Sequence, residues 1–277
     1  MRKFKFILFL ILCFSCSNED FAPDENENNN DQEKKLLVKS IKISGYEGNP
    51  NDGWNYTENF TYEGNKIEQK TTTNLNTNEV KTTNYTYTDN LITNIKTFDE
   101  NNGLINSSEL LYDSNKRIVS LIYTYYYNSS GNDINTLDFT YQANGSILYC
   151  DNYDTYYDGM LFTFNQNGDI STFTYNSDLD SLEACNPSTH NQEGKITYDD
   201  SPYPFKNITG IQFFSYFENI FSRATIFGHN KNATRITFSD DLEDDNWTYD
   251  FNEFGYPRNI VWTYDDDLTE TIDIDYY

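Results

Sequence analysis

The side chains with chemistry to offer are four cysteines, two histidines and a large stock of carboxylates and phenols. Cys16 follows Phe14-Ser15 at the end of a short apolar stretch, where a thiol can be converted to a lipid thioether. Cys13 lies inside that stretch. Cys150 and Cys185 are the remaining thiols, and in an oxidising compartment they are disulfide candidates. One sequence does not show that the two approach each other. No other Cys or His sits near them at ligand spacing except His190, which disfavours a metal site. His190 and His229 are the only imidazoles for a Ser-His-Asp or His-metal centre. Neither sits in a nucleophile motif such as Gly-x-Ser-x-Gly.

The acidic runs Asp240-Asp241-Leu242-Glu243-Asp244-Asp245 and Asp265-Asp266-Asp267 lack the spacing, glycine and terminal glutamate of an EF-hand. They read as solvated hairpin turns. Carboxylates are so numerous that any pair chosen for glycoside hydrolysis would be arbitrary. No catalytic residue, metal or cofactor is therefore expected. The tyrosine clusters Tyr123, Tyr125, Tyr126, Tyr127 and Tyr153, Tyr156, Tyr157 are the ligand-binding candidates, since phenol rings stack on sugars and serve adaptable protein contacts. The competing role is packing within the sheet. Ser181, in Asp180-Ser181-Leu182, is an O-glycosylation candidate.

The elements around Cys16 define its role. Arg2, Lys3 and Lys5 form a basic n-region, Phe6 to Leu12 an apolar h-region, and Ser15 a small residue at the cleavage point. The apolar run is far short of the roughly 20 residues that span a bilayer. The stretch resembles a lipobox, with Cys13 where Leu is usual. The expected organisation is a signal peptide over 1–15, a lipidated Cys16 with a tether over 16–37, and a β domain over 38–277. The tether carries Asp24-Glu25-Asn26-Glu27-Asn28-Asn29-Asn30-Asp31 and no apolar periodicity, so it reads as disordered. Acyl chains on Cys16 would make the membrane a partner, because several chains anchor stably where one is marginal.

Charge excludes one class of partner. The leader holds three of the 19 Lys+Arg and none of the 44 Asp+Glu, leaving 16 bases against 44 acids, a net −28. Such a chain repels phosphate backbones, so no nucleic-acid partner is expected. Aromatics make up 17% of the residues, with 24 Tyr and 20 Phe against 2 Met. This composition favours strands over helices.

A repeated unit organises the body. Its copies include Phe60-Thr61-Tyr62-Glu63-Gly64-Asn65-Lys66-Ile67, Tyr85-Thr86-Tyr87-Thr88-Asp89-Asn90-Leu91-Ile92 and Phe139-Thr140-Tyr141-Gln142-Ala143-Asn144-Gly145-Ser146-Ile147. The second aromatic falls at 62, 87, 112, 141 and 164, in steps of 25, 25, 29 and 23. Each step accommodates two strands and two turns, that is, one hairpin. The two aromatics share a face. Asn-Gly and Asp-Asn supply the positive φ of tight turns. The Ile or Leu after the turn packs back on the aromatics. An antiparallel meander of such hairpins forms a strongly curved sheet or partly closed barrel, all-β, with Tyr and Phe inside. Lys81-Thr82-Thr83-Asn84 is read as part of its polar outside.

Tyr112-Asp113, Tyr198-Asp199 and Tyr249-Asp250 resemble the Tyr-Asp core of the YD repeat of the RHS family. The chain is more similar still to YD-repeat-like lipoproteins of Bacteroidota, an uncharacterised group with a porin-like fold. Features carrying this are Cys16, the segment from Ile196 through Pro202-Tyr203-Pro204-Phe205, and the close on Ile274-Asp275-Tyr276-Tyr277. Glu19-Asp20 resembles the surface-export signal of such lipoproteins. The resemblance implies an outer-membrane, lipid-anchored protein on the cell surface, or else on the periplasmic face. It implies no activity. The expected role is non-enzymatic binding of a glycan, peptide or protein. The alternatives are an RHS-like shell or secretion accessory and an extracellular polymer hydrolase.

Overall fold

The computed structural model describes residues 35–277 apart from 48–52, 128–130, 154–155, 176–184, 187, 189, 191, 212–229, 240–243 and 265–267. The leader, Cys16, Ser181 and His229 thus lie outside the described residues. Sixteen strands follow one another: β1 (Val38–Glu47), β2 (Trp54–Glu63), β3 (Lys66–Asn74), β4 (Val80–Thr88), β5 (Leu91–Phe98), β6 (Leu104–Tyr112), β7 (Ile118–Tyr127), β8 (Gly131–Tyr141), β9 (Ile147–Tyr153), β10 (Tyr156–Phe164), β11 (Ile170–Tyr175), β12 (Gln192–Pro202), β13 (Lys231–Phe238), β14 (Asp245–Phe251), β15 (Pro257–Tyr264) and β16 (Leu268–Tyr276). Every strand pairs antiparallel with its sequence neighbour, and β1 pairs with β16, so the sheet is a closed barrel. The all-β meander of hairpins is as the sequence predicts. Its closure is complete rather than partial, because Val38 to Glu47 finds a full-length partner in Leu268 to Tyr276.

Each repeat copy is one hairpin. Its two aromatics point inward, as in Phe60 and Tyr62 on β2, while Asn59, Thr61 and Glu63 between them are exposed. The tight turn takes the geometry the sequence calls for: Asp89 and Asn90 have φ of 51° and 67°. In the β6–β7 turn, Asp113 Oδ1 accepts the backbone N–H groups of Asn115 and Arg117 at 2.8 and 3.0 Å. The aspartate of that Tyr-Asp pair is therefore a turn cap.

Just beyond most of the tight turns the ladder slips, for example where Thr61 and Tyr62 face Gln69 and Ile67. Such a bulge disrupts the ladder locally. The second-position tyrosine of the following hairpin bonds there. Tyr112 Oη donates to the Ile92 carbonyl at 2.6 Å, Tyr198 to Ile170 at 2.7 Å, Tyr276 to Pro257 at 2.7 Å, and Tyr62 to Val38 at 2.7 Å. Tyr249 donates to Ala233, and Tyr87 Oη accepts the Ile67 N–H. A belt of tyrosines thus ties neighbouring hairpins together at six places among the described residues. Burial pushes the Tyr62, Tyr112, Tyr198, Tyr249 and Tyr276 phenols well up, and those of Tyr87 and Tyr141 up to about 12.

The same end of the barrel is sealed. Sixteen strands enclose enough room for an aqueous channel. Here Ile, Phe and Trp from every wall fill it, including Ile41, Leu110, Phe162, Ile196 and Trp247. After β12 the chain turns inward and crosses the interior. Tyr203, Phe205 and Ile208 are buried, and Phe205 meets Phe60 edge-on at 5.8 Å. The Thr209 N–H bonds the Asn65 carbonyl at 2.8 Å, beyond the axis from β12. Gly210 ends the crossing with φ +84°, where a Cβ would lie 3.0 Å from the Asn90 carbonyl oxygen. This segment, 203–210, is a plug.

Candidate functional site

The apolar filling stops part-way along the barrel. Continuing the period-2 inward set of β2 back from Tyr62 and Phe60 gives Glu58, Tyr56 and Trp54. On β4 the set runs back from Tyr87 and Tyr85 to Thr83 and Lys81. The end opposite the plug, called the mouth below, is therefore polar inside. This corrects the expectation for Lys81-Thr82-Thr83-Asn84: Thr82 and Asn84 face out, but Lys81 and Thr83 line the interior. Their place on the inward face is set by register with Lys70 and Thr72.

A cavity of 430 Å³ opens in this mouth. Glu58, Lys70, Thr72, Lys81, Thr83, Thr97, Asn106, Ser108, Tyr56, Tyr123 and Tyr125 surround it, with Ile43 and Ile95 at its apolar base. The Lys70 ammonium donates to Glu58 Oε1 at 2.9 Å, and both side chains are more than nine-tenths buried. Thr72 Oγ1 approaches the same oxygen at 3.5 Å. Glu58 Oε2 accepts no hydrogen bond from the described residues. The Thr83 and Thr97 hydroxyls bond each other at 3.1 Å. On a neighbouring stretch of wall two indoles hold two acids: Trp54 Nε1 donates to Glu270 and Trp262 Nε1 to Asp245, each at 2.8 Å. Burial pushes the Asp245 carboxyl up against the lowering effect of the Trp262 bond. A wider depression of 560 Å³ lies at the rim over Gly45, Gly53, Trp54 and Asn76, and among the described residues no charged side chain lines it.

The tyrosine candidates separate by strand alternation. Tyr123, Tyr125 and Tyr127 on β7 face inward. Tyr123 and Tyr125 meet at 4.7 Å, and Tyr127 stacks on Tyr125 at 6.2 Å with planes 20° apart. Tyr125 is 42% and Tyr127 50% exposed, so the ladder climbs from the cavity to the rim. Tyr126 faces outward, its hydroxyl 3.1 Å from Ser107 Oγ. Tyr153 and Tyr156 pair across the β9–β10 hairpin, with Tyr157 opposite Asn152; the side chains of these tyrosines lie outside the described residues. Cys150 and Cys185 are joined by a disulfide with Cα atoms 5.3 Å apart, which fastens the β11–β12 connection to β9. His190 is half-buried with Nδ1 3.5 Å from Thr174 Oγ1. Among the described residues no three His, Cys, Asp or Glu side chains cluster as metal ligands.

The outer wall is polar. Asn84, Thr86, Lys96, Glu109, Asp138, Thr140, Lys195, Thr248, Asp273 and Asp275 are all exposed outward positions. Leu111 and Ile134 are the largest apolar exceptions. Among the described residues no helix is long and apolar enough to cross a membrane.

No protein-family model and no curated protein matches the chain, so its likeness to YD repeats rests on the quoted residues alone. Solved structures similar to it include two porin-like proteins. A porin-like protein from Bacteroides uniformis ATCC 8492 is 12% identical, covering 87% of this chain and 96% of that one, with a TM-score of 0.39. A porin-like protein from Bacteroides vulgatus ATCC 8482 is 12% identical, covering 88% and 99%, with a TM-score of 0.41.

Proposed function

We propose that this protein is a lipid-tethered, non-enzymatic binding cup, displayed at the cell surface with its mouth turned away from the membrane. The observation that carries the reading is a barrel plugged at one end and hollow, polar and tyrosine-lined at the other. A plugged barrel with a polar outer wall is suited to water. A wall in contact with lipid needs an outward apolar band. The mouth cavity, of 430 Å³, is also far too small for the cargo domain of a shell. Within the cavity the acid and the base are tied to each other at 2.9 Å, an arrangement suited to holding a ligand rather than to moving protons.

Orientation follows from where the chain enters. Asn207 of the plug donates to the Leu36 carbonyl at 2.9 Å, and the Tyr277 N–H donates to the Leu37 carbonyl at 3.0 Å. The described chain thus begins beside the plug, and on this reading a tether from Cys16 would join the barrel at that end and leave the mouth as the free end. Single cysteines at Glu100→Cys, on the mouth turn between β5 and β6, and at Asn115→Cys, on a plug-side turn, test this on intact cells. A maleimide carried on a large dextran should label position 100 several times faster than position 115. The reverse order refutes the orientation, and protection of both refutes surface display. Cys16→Ser should abolish palmitate labelling and release the protein from membranes. A variant that still labels and stays with the membrane overturns the anchor.

A further inference from the structure

We infer that the mouth cavity receives the neutral, hydroxyl-rich end of a saccharide chain, whose following rings lie along Tyr125 and Tyr127. This rests on the binding-cup reading and gives it a ligand class.

Three observations select that chemistry. The first is charge. Glu58 and Lys70 neutralise each other in a buried pair, and Lys81, the other charged side chain of the lining, pairs with Glu79 at 3.1 Å, so an ionic ligand would gain a partner only by taking one from a pair already made. The second is the hydrogen-bonding character of the wall. Thr72, Thr83, Asn106 and Ser108 line the cavity. Hydroxyls and amides both donate and accept, which matches alcohol groups that do the same. Glu58 Oε2 is a buried acceptor without a donor among the described residues. A buried acceptor left unsatisfied is costly, and a ligand hydroxyl would relieve it.

The third is the ladder. Tyr125 and Tyr127 present exposed rings 6.2 Å apart with planes nearly parallel, rising out of the cavity. Tyrosine joins a flat apolar face to a polar tip at small entropic cost. A pyranose has the complementary form, with C–H groups on its faces and hydroxyls at its edge. An extended peptide is the competing occupant. Adding a strand to an exposed sheet edge is the mode in which main-chain hydrogen bonds give an extended peptide its affinity. This barrel has closed on itself and offers none. A cavity of 430 Å³ falls within the range of small-molecule sites, so the chain end enters and the remainder leaves along the ladder.

The test uses the mature chain carrying Cys16→Ser and titration calorimetry against a panel of neutral hexasaccharides: cello-, malto-, xylo-, manno- and laminari-oligomers. At least one should bind. Tyr125→Ala should weaken it roughly tenfold, and Asn106→Ala should weaken it too. Tyr126→Ala, on the outer wall, should leave it unchanged. An Asn-, Ser- and Gly-rich decapeptide pool serves as the alternative probe. Peptide binding that depends on Tyr125, with no saccharide bound, overturns the saccharide and leaves the cup standing. Saccharide binding indifferent to both Tyr125→Ala and Asn106→Ala overturns the cup as the site. Absence of binding across the whole saccharide panel overturns this inference.

Discussion

Replacing Lys70 by Met should be among the most destabilising single changes in the mouth. At 2.9 Å and an effective dielectric of about 20, the attraction between Lys70 and Glu58 is roughly 6 kcal/mol. Burying each ion costs several kcal/mol, so the pair as a whole contributes little net stability. Lys70→Met keeps the stem's volume and removes the charge. The Glu58 carboxylate then stays buried with Thr72 as its one remaining partner, and the expected loss is about 3–5 kcal/mol. Glu58→Gln should cost a comparable amount by stranding the ammonium. The double variant Glu58→Gln/Lys70→Met removes both charges and should lie within about 2 kcal/mol of the wild type. Urea unfolding followed by the fluorescence of Trp54, Trp247 and Trp262, all on the inner wall, gives the four corners of the cycle. A loss below about 1 kcal/mol for Lys70→Met, the level of an exposed pair, would refute the burial argument. So would a double variant as unstable as the sum of its singles.

Three further outcomes are expected. The disulfide spans 35 residues, so Cys150→Ala/Cys185→Ala should lower stability by about 4 kcal/mol on the chain-entropy account, read from the urea midpoint; an unchanged midpoint would show that the link constrains nothing. Tyr112→Phe removes one belt hydroxyl and leaves the Ile92 carbonyl without that donor, so a loss of about 1 kcal/mol is expected from the same assay, and no loss would strike the belt from the stabilising contacts. Alkali should unfold the barrel. The unfolded phenols titrate near 10 and those of Tyr87 and Tyr141 in the barrel near 12, so between these values the unfolded state has lost protons that the folded state retains. Stability is therefore full below pH 10 and falls as pH rises towards 12. Absorbance at 295 nm should show belt phenols ionising together with unfolding, and smooth ionisation of a folded protein near pH 10 would contradict it.

The hairpins were legible because their signals are local. Phe60-x-Tyr62 fixes a face, Gly64-Asn65 a turn, and Ile67 the return. The belt was half legible: the aromatic positions recur, but their bonding depends on a bulge that no residue type announces. The plug was not legible as such. Tyr203, Phe205 and Ile208 have no strand period, and their burial needs a barrel around them. Closure was hidden for a related reason, since β1 and β16 meet across the whole sequence. The cavity was misread at Lys81 and Thr83 because polarity was taken to mean the outside. The period-2 register already placed both on the inward face with Tyr85 and Tyr87. The same alternation separates Tyr126 from its neighbours. Glu58 and Lys70 carried no sequence signal beyond that parity.

The seam between β1 and β16 has a consequence for assembly. It joins strands separated by almost the full length of the domain, and Val38 waits for Tyr276. A growing chain therefore carries β1 with one edge unpaired until the last strand is present, and such distant pairing forms slowly. A chain cut before Leu268 would expose two strand edges, those of β1 and β15, each a template for another molecule. Truncation at this end should thus turn a closed barrel into a unit that polymerises edge to edge.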